Sequence, residues 1–366
     1  MDVHFIGEGG DKSHTTLVAN YETTDTDVPL IQASLKKSQT HLTPRGKEKL
    51  QNKLFQNKFA RQLTFTLMGI VGEFIGTFLL TMVICSMVAA SVVTGAHAGL
   101  WQVAIVCGLG VSVSIYCTAH LSEAHLNPAI TLAFAIVRWR IFSWKKVVPY
   151  ITFQILGGVL AGAMTYALFQ GTIAHFEAEY DIERGSNNSV LTAMLFGEYF
   201  PNPAIYNHSL PGSYDVISPL GAMAVEAFCT GILAFVVFSL TDKHNSTISG
   251  GNGRARSIVP LLIGLTVSLM ISICGPLTQI GINPARDFGP RIFAAIAGWG
   301  SIAIPGPRNG FWVYIVGPII GAIIGAGLND LIFSNAVRLS RKFKESKGTG
   351  GNTATAEKDT NKEQDG

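Results

Sequence analysis

The residues best suited to chemistry in this chain stand in its least polar stretches. Asn127-Pro128-Ala129 and Asn283-Pro284-Ala285 repeat one tripeptide, and the second copy runs into Arg286 and Asp287. Glu73 and Glu226 are carboxylates in apolar surroundings. Proline suits the first turn of a helix, where its missing N–H would be unpaired anyway. Asparagine is a strong N-cap. Each motif therefore predicts a short helix, from Pro128 to about Val137 and from Pro284 to about Ala294, too short to span a bilayer. Entering from opposite faces, the two would meet N-terminus to N-terminus. Each terminus carries roughly half an elementary positive charge, and the pair would form a barrier to protons and cations. The Asn127 and Asn283 amides would offer donors to a passing water or hydroxyl. One turn on, Arg286 is expected to project into a pore, because charge at that depth usually lines a cavity. Glu73 and Glu226 are expected to accept hydrogen bonds from irregular backbone rather than to bind solute.

Positioning such groups requires membrane helices. The chain has 366 residues, 48% hydrophobic and 14% charged, against about 25% charged in soluble domains. Apolar blocks at Leu67–Val93, Val103–Thr118, Val147–Leu168, Met223–Leu240, Ile258–Ile273 and Phe311–Ile332 predict six spans, of the ~20 residues that cross hydrocarbon. The expected class is an all-α membrane protein with two added re-entrant half-helices. Asn127 follows Glu73, and Asn283 follows Glu226, at nearly the same interval, and Thr77 and Thr230 stand four residues after the two glutamates. Each half reads as span, span, half-helix, span. Three spans per half invert the second, which places broken helices at the midplane of transport proteins. The expected domains are a cytoplasmic tail 1–65, with an amphipathic helix at 46–63 on the inner leaflet or continuing span one. A channel domain 66–335 comes next, with repeats at about 66–170 and 219–335, and then a cytoplasmic tail 336–366. Both tails are expected to be largely disordered.

Lysines and arginines cluster before span one, after the first Asn-Pro-Ala, between spans four and five, and after span six, whereas the loop from about Gln170 to Pro219 is acidic. The positive-inside rule puts both termini in the cytoplasm and that loop outside. A plasma membrane is expected, with an intracellular membrane as the alternative. No signal peptide is visible, so span one would serve as the membrane signal. Cys85, Cys107, Cys117, Cys229 and Cys274 lack metal spacing and loop partners, and are expected to be buried free thiols.

No cofactor, metal or nucleic-acid site is expected, and no enzyme. Asp287-Phe288-Gly289 imitates a kinase metal triplet, but no catalytic loop accompanies it. Glycines at four-residue spacing (Gly158, Gly162; Gly317, Gly321, Gly325) predict close helix packing. Asn187 and Asn207 begin glycosylation sequons in the outer loop, and Asn245 begins one on the inner side, expected to be unused. Rival functions are an ion-coupled transporter, which would expose Glu73 or Glu226 to solute, and an adhesion protein, which would have short, flat outer loops.

The stretches Ser122–Ala129 and Gly281–Arg291 resemble the signature loops of the major intrinsic proteins, and the resemblance covers about residues 66–333. Asp287, Gly275-Pro276-Leu277-Thr278 and the long outer loops make the chain more similar to the aquaglyceroporin branch than to the water-selective one. The resemblance implies a homotetramer in a lipid bilayer, each subunit passing glycerol, other small neutral solutes and water. A water-selective, ammonia or hydrogen peroxide pore is the alternative within the family. It also implies, counting back from the motifs, an outer constriction of Cys107, Ile271 and Ile280 beside Arg286, without the family's usual His or aromatics. An apolar wall facing one arginine suits the carbon edge of a polyol, or the isoleucines narrow the pore. Glu123 stands where the family usually has Gly, near His120 and His125 at the cytoplasmic mouth. Two roles are open to it: a solvated carboxylate paired with Arg138 or Arg140, or a pH-sensitive gate.

Overall fold

In a computed structural model, described at residues 44–97, 99–206, 212–242, 245 and 257–333, every regular element among the described residues is helical. Side chains are described from Leu63 onward. Most of the N-terminal tail, the side chains of the 46–63 helix, Asn207, most of the loop between spans four and five, and the C-terminal tail lie outside the described residues. The chain divides into two units at Thr64/Phe65, and the helices that build the site belong to the second.

Among the described residues, six helices are long and apolar enough to cross a membrane, as expected. α1 is Pro44–Val92, of which Leu63–Val92 is the apolar span. α2 is Leu100–Thr118, α3 the half-helix Pro128–Val137, α4 Val147–Glu179, α5 Pro219–Leu240 and α6 Val259–Thr278. α7 is the half-helix Pro284–Ala294, and α8 is Pro307–Phe333. Both half-helices begin at the predicted prolines. Asn127 caps α3 from extended backbone, its Oδ1 accepting from the Ala129 N–H. Asn283 caps α7, accepting from the Ala285 and Arg286 N–H groups.

The two halves meet where α2 crosses α6. Gly108 and Gly264 stand at equal distances before Asn127 and Asn283, and they touch each other. A Cβ on Gly108 would lie 2.3 Å from the Gly264 carbonyl oxygen, and one on Gly264 would lie 2.1 Å from that of Gly108. No Cβ fits at such a distance, so the crossing requires glycine on both helices. The predicted glycine rows do the same elsewhere. Gly158 and Gly162 admit Ala285 and Pro290 of α7 against α4, and Gly317, Gly321 and Gly325 admit the backbone of α5 against α8.

One apolar cluster joins both halves, with Leu80, Cys107, Leu126 and Ile130 meeting Leu233, Val267, Ile271, Ile280 and Ile282. A second, around Val88, Ile173, Phe196, Tyr199, Trp299 and Ile302, draws the segment after α4 onto one end of the helices. Large apolar side chains such as Trp101, Val113, Phe228, Leu269, Ile273 and Leu331 are exposed, as bilayer contact or burial between subunits requires. All five cysteines are free, but Cys117 is exposed and Cys274 half-buried. The expectation of five buried thiols is corrected at these two: Cys117 faces outward, and Cys274 packs against the edge of the central apolar cluster.

Candidate functional site: a lined passage between two half-helices

A cavity of about 490 Å³ is lined by residues from near one end of the helices (Ser91, Val92, Gly99) to the other (Thr241, Val259, Pro260). Asn127, Asn283, Cys107, Ile271, Ile280 and Arg286 all line it. The implied constriction residues are thus gathered from α2, α6, the segment before α7, and α7 itself.

The half-helices are held tip to tip by a reciprocal pair of bonds. The Asn127 Nδ2 donates to the Ile282 carbonyl at 2.8 Å, and the Asn283 Nδ2 donates to the Leu126 carbonyl at 2.8 Å. Each amide has two N–H donors, so each keeps one beyond this bond. The backbone before each motif is strained in the same pattern. Ala124 and Leu126, and then Ile280 and Ile282, have φ between 44° and 69°, a region unfavourable to residues with a Cβ. Such strain persists only where surroundings fix it.

The buried glutamates supply that restraint. Glu73 accepts from the His125 and Leu126 N–H groups at 3.0 and 2.7 Å, from the Ser122 hydroxyl at 2.8 Å and from Gln154 Nε2 at 2.7 Å. Glu226 accepts from the Gly281 and Ile282 N–H groups at 3.1 and 2.7 Å and from the Thr278 hydroxyl at 2.7 Å. Neither glutamate lines the cavity, as their expected structural role requires.

Arg286 lines the cavity and carries a partner of which the sequence shows no sign. Its Nη1 lies 2.5 Å from Glu198 Oε1, and both side chains are buried. Glu198 comes from the outer segment and lines the same cavity. No sequence motif singles it out, since one glutamate in an acidic loop carries no periodic or spacing signal. Its place is set by α7. The Glu198 N–H donates to Asp287 Oδ1 at 2.6 Å, and Arg291 Nη2 donates to the Glu198 carbonyl. Asp287 and Arg291 are themselves paired at 2.9 Å, one helical turn apart. Asp287, noted in the sequence only as a branch marker, is therefore the anchor of the outer segment.

At the opposite mouth, Glu123 pairs with Lys146 at 2.5 Å and accepts from the Tyr150 hydroxyl. The expected partners Arg138 and Arg140 do not reach it. Arg138 instead bonds Asp242 and Asp330 at 3.3 and 3.4 Å and the Phe238 carbonyl at 3.0 Å, tying the end of α3 to α5 and α8. Burial pushes the Glu123 carboxyl up, but bonds from Lys146 and Tyr150 hold it below its ordinary value. Burial among Phe134, Phe142 and Tyr150 pushes His125 down to about 4. His120 is exposed and Asn187 is exposed.

The model of the family described as "Major intrinsic protein" matches residues 60–328. The chain belongs to the major intrinsic protein family. Among the family's members, the glycerol uptake facilitator protein of Haemophilus influenzae is 42% identical over 261 residues, covering 70% of this chain and 90% of that relative. The one from Escherichia coli is 42% identical over 267 residues, covering 72% and 87%. The propanediol uptake facilitator PduF of Citrobacter freundii is 38% identical, covering 70% and 89%. Among solved structures, the X-ray structure of the aquaglyceroporin from Plasmodium falciparum matches with a TM-score of 0.61 and 26% identity, covering 75% of this chain and 99% of that one. The aquaporin-like fold and an integral, multi-pass membrane placement follow from the family together with the six apolar helices.

Proposed function

We infer that this major intrinsic protein is a passive channel for glycerol, other small uncharged solutes and water, excluding protons and ions. The observation that carries this is the capped pair of half-helices, joined by reciprocal asparagine–carbonyl bonds inside a cavity lined along the helices. The names of the relatives, which are glycerol and propanediol uptake facilitators, support the polyol as cargo. No covalent chemistry is involved. The two helix N-termini disfavour a cation or proton at the meeting point. The spare Asn127 and Asn283 donors replace the hydration a hydroxyl leaves behind. Cys107, Ile271 and Ile280 give a carbon edge an apolar surface while Arg286 donates to its oxygens. The assembly we favour is a homotetramer in a plasma membrane with both termini in the cytoplasm.

Proteoliposomes shifted into a glycerol gradient test this by stopped-flow light scattering. Glycerol-driven re-swelling well above protein-free liposomes, indifferent to proton or sodium gradients, is expected. Fast shrinkage without re-swelling would mean that Ile271 and Ile280 close the pore to carbon chains. Gradient-dependent uptake would make the protein a coupled transporter.

A further inference from the structure

The filter of this protein has a member that its motifs do not announce. Glu198 is 2% exposed yet lines the passage with Arg286, Cys107, Ile271 and Ile280. Its Oε2 makes no hydrogen bond within the described chain, and the Arg286 Nη1 beside Oε1 makes no aligned one. Buried polar atoms are nearly always paired, and leaving one unpaired costs about 1–3 kcal/mol. A donor and an acceptor left unmatched at one level of a passage point to a moving partner that both accepts and donates. A hydroxyl is such a group.

The backbone of Glu198 is held rigidly. Its N–H is taken by Asp287 and its carbonyl by Arg291, and the next N–H, of Tyr199, donates to Gln279 Oε1 at 2.8 Å. The three non-aromatic wall residues leave room for a carboxyl at this level. An arginine alone offers a solute only donors. A guanidinium with a carboxyl offers both.

We propose that Glu198 is a specificity-determining residue of the outer constriction, contacting the solute as hydrogen-bond acceptor while Arg286 donates, and favouring polyols over water. This rests on the channel function inferred above. Burial, against the pull of Arg286, raises the Glu198 carboxyl to about 8. The charged and titratable groups around it are Arg286, Asp287 and Arg291 of α7, Glu226 of α5, Cys85 of α1, Cys107 of α2, Tyr314 of α8 and its neighbour Tyr199. With the value raised, the stronger ionised acceptor prevails only above about pH 8. Glycerol permeability should therefore step up between pH 7 and 9.

The test compares glycerol and water permeability of the full chain, Glu198→Gln and Glu198→Asp in proteoliposomes across that range. Glutamine keeps the shape but places a non-titrating amide in the filter. Its glycerol-to-water permeability ratio is expected to fall about tenfold, as for loss of one charge-assisted hydrogen bond, and its pH step should vanish. Aspartate should keep the step. If Glu198→Gln conducts water normally and retains both the parent's ratio and its pH profile, Glu198 only positions Arg286 and the proposal fails. If Glu198→Gln does not assemble, a parent or Glu198→Asp profile flat between pH 7 and 9 overturns the proposal as well. A parent that passes no glycerol overturns the channel function and this proposal together, which separates the two failures.

Discussion

At the scale of single residues, burial decides which charged groups carry solute chemistry and which carry structure. Glu73 satisfies four donors from two different parts of the chain, the Ser122–Leu126 segment and Gln154 of α4. Glu73→Leu would strand the His125 and Leu126 N–H groups beside strained backbone. A loss of roughly 3 kcal/mol or more is expected from the stranded donors, read as a lower thermal midpoint in detergent, with Glu73→Gln between the two. At the mouth where Glu123 and Lys146 pair, the pH gate is expected to be absent. Glu123, held below its ordinary value, stays ionised at mildly acidic pH, and His125, pushed down to about 4, stays neutral. Glycerol permeability should be flat from pH 5 to 7, in the parent and in Glu123→Gly alike. A step in the parent that Glu123→Gly removes would restore the gate. Stability behaves differently from permeability. The folded His125 resists a proton that the unfolded chain accepts below its ordinary value of 6.5. Stability should therefore decline as pH falls from about 6.5 toward 4, and His125→Phe should soften that decline.

At the scale of elements, close approach and buried pairing set the geometry. Gly108→Ala and Gly264→Ala each drive a methyl into a backbone carbonyl at the α2–α6 crossing. Overpacking of this kind costs about 1–3 kcal/mol or more, and here the obstacle is backbone that no rotamer change can move. Both variants should lose folded yield in membranes, whereas Gly327→Ala, with nothing within 4 Å of the added Cβ, should match the parent. α7 is held by pairing as well as by its close approach to α4. Asp287→Asn would leave Arg291 buried without its anion and give the Glu198 N–H a neutral acceptor in place of a charged one. Breaking a buried pair costs about 3–5 kcal/mol. Lower stability is expected, and in the surviving protein a reduced glycerol-to-water ratio resembling that of Glu198→Gln.

At the scale of the whole molecule, two inverted halves fold against each other, and the segment between α4 and α5 packs onto the helix ends around Val88, Ile173 and Trp299. That segment is no slack connector. Glu177 holds Arg184 at 2.9 Å and accepts from the Thr192 hydroxyl at 3.0 Å, and Trp299 Nε1 donates to Thr192 at 2.9 Å. Insertions here should alter selectivity, unlike insertions in an ordinary surface loop. The exposed apolar faces of α2, α5, α6 and α8 give the protein ample surface for lipid and for neighbouring subunits. Mild cross-linking in native membranes should yield a ladder ending at four chains, and a ladder ending at two would refute the tetramer.

Several features were legible in the sequence because they depend on local rules. Proline and asparagine fix a helix start wherever they fall, so the first residues of α3 and α7 followed from the motifs alone. Hydrophobic length gave the six spans, and the repeat spacing gave the backbone-bracing role of Glu73 and Glu226. That Cys107, Ile271, Ile280 and Arg286 line one cavity was reached by family resemblance, since they lie on different elements. The partner of Glu123 was missed because Lys146 reaches it across a turn whose path local rules do not set. Glu198 and the anchoring role of Asp287 were missed for a deeper reason. An ion pair between residues far apart in the chain has no period, no cap and no fixed spacing, and it exists only once the outer segment has folded onto α7. The sequence by itself determined the frame of the passage, because each of its parts is specified within a few residues. Only the tertiary structure decided what stands beside Arg286, because Glu198 reaches it only when packing brings two distant parts of the chain together.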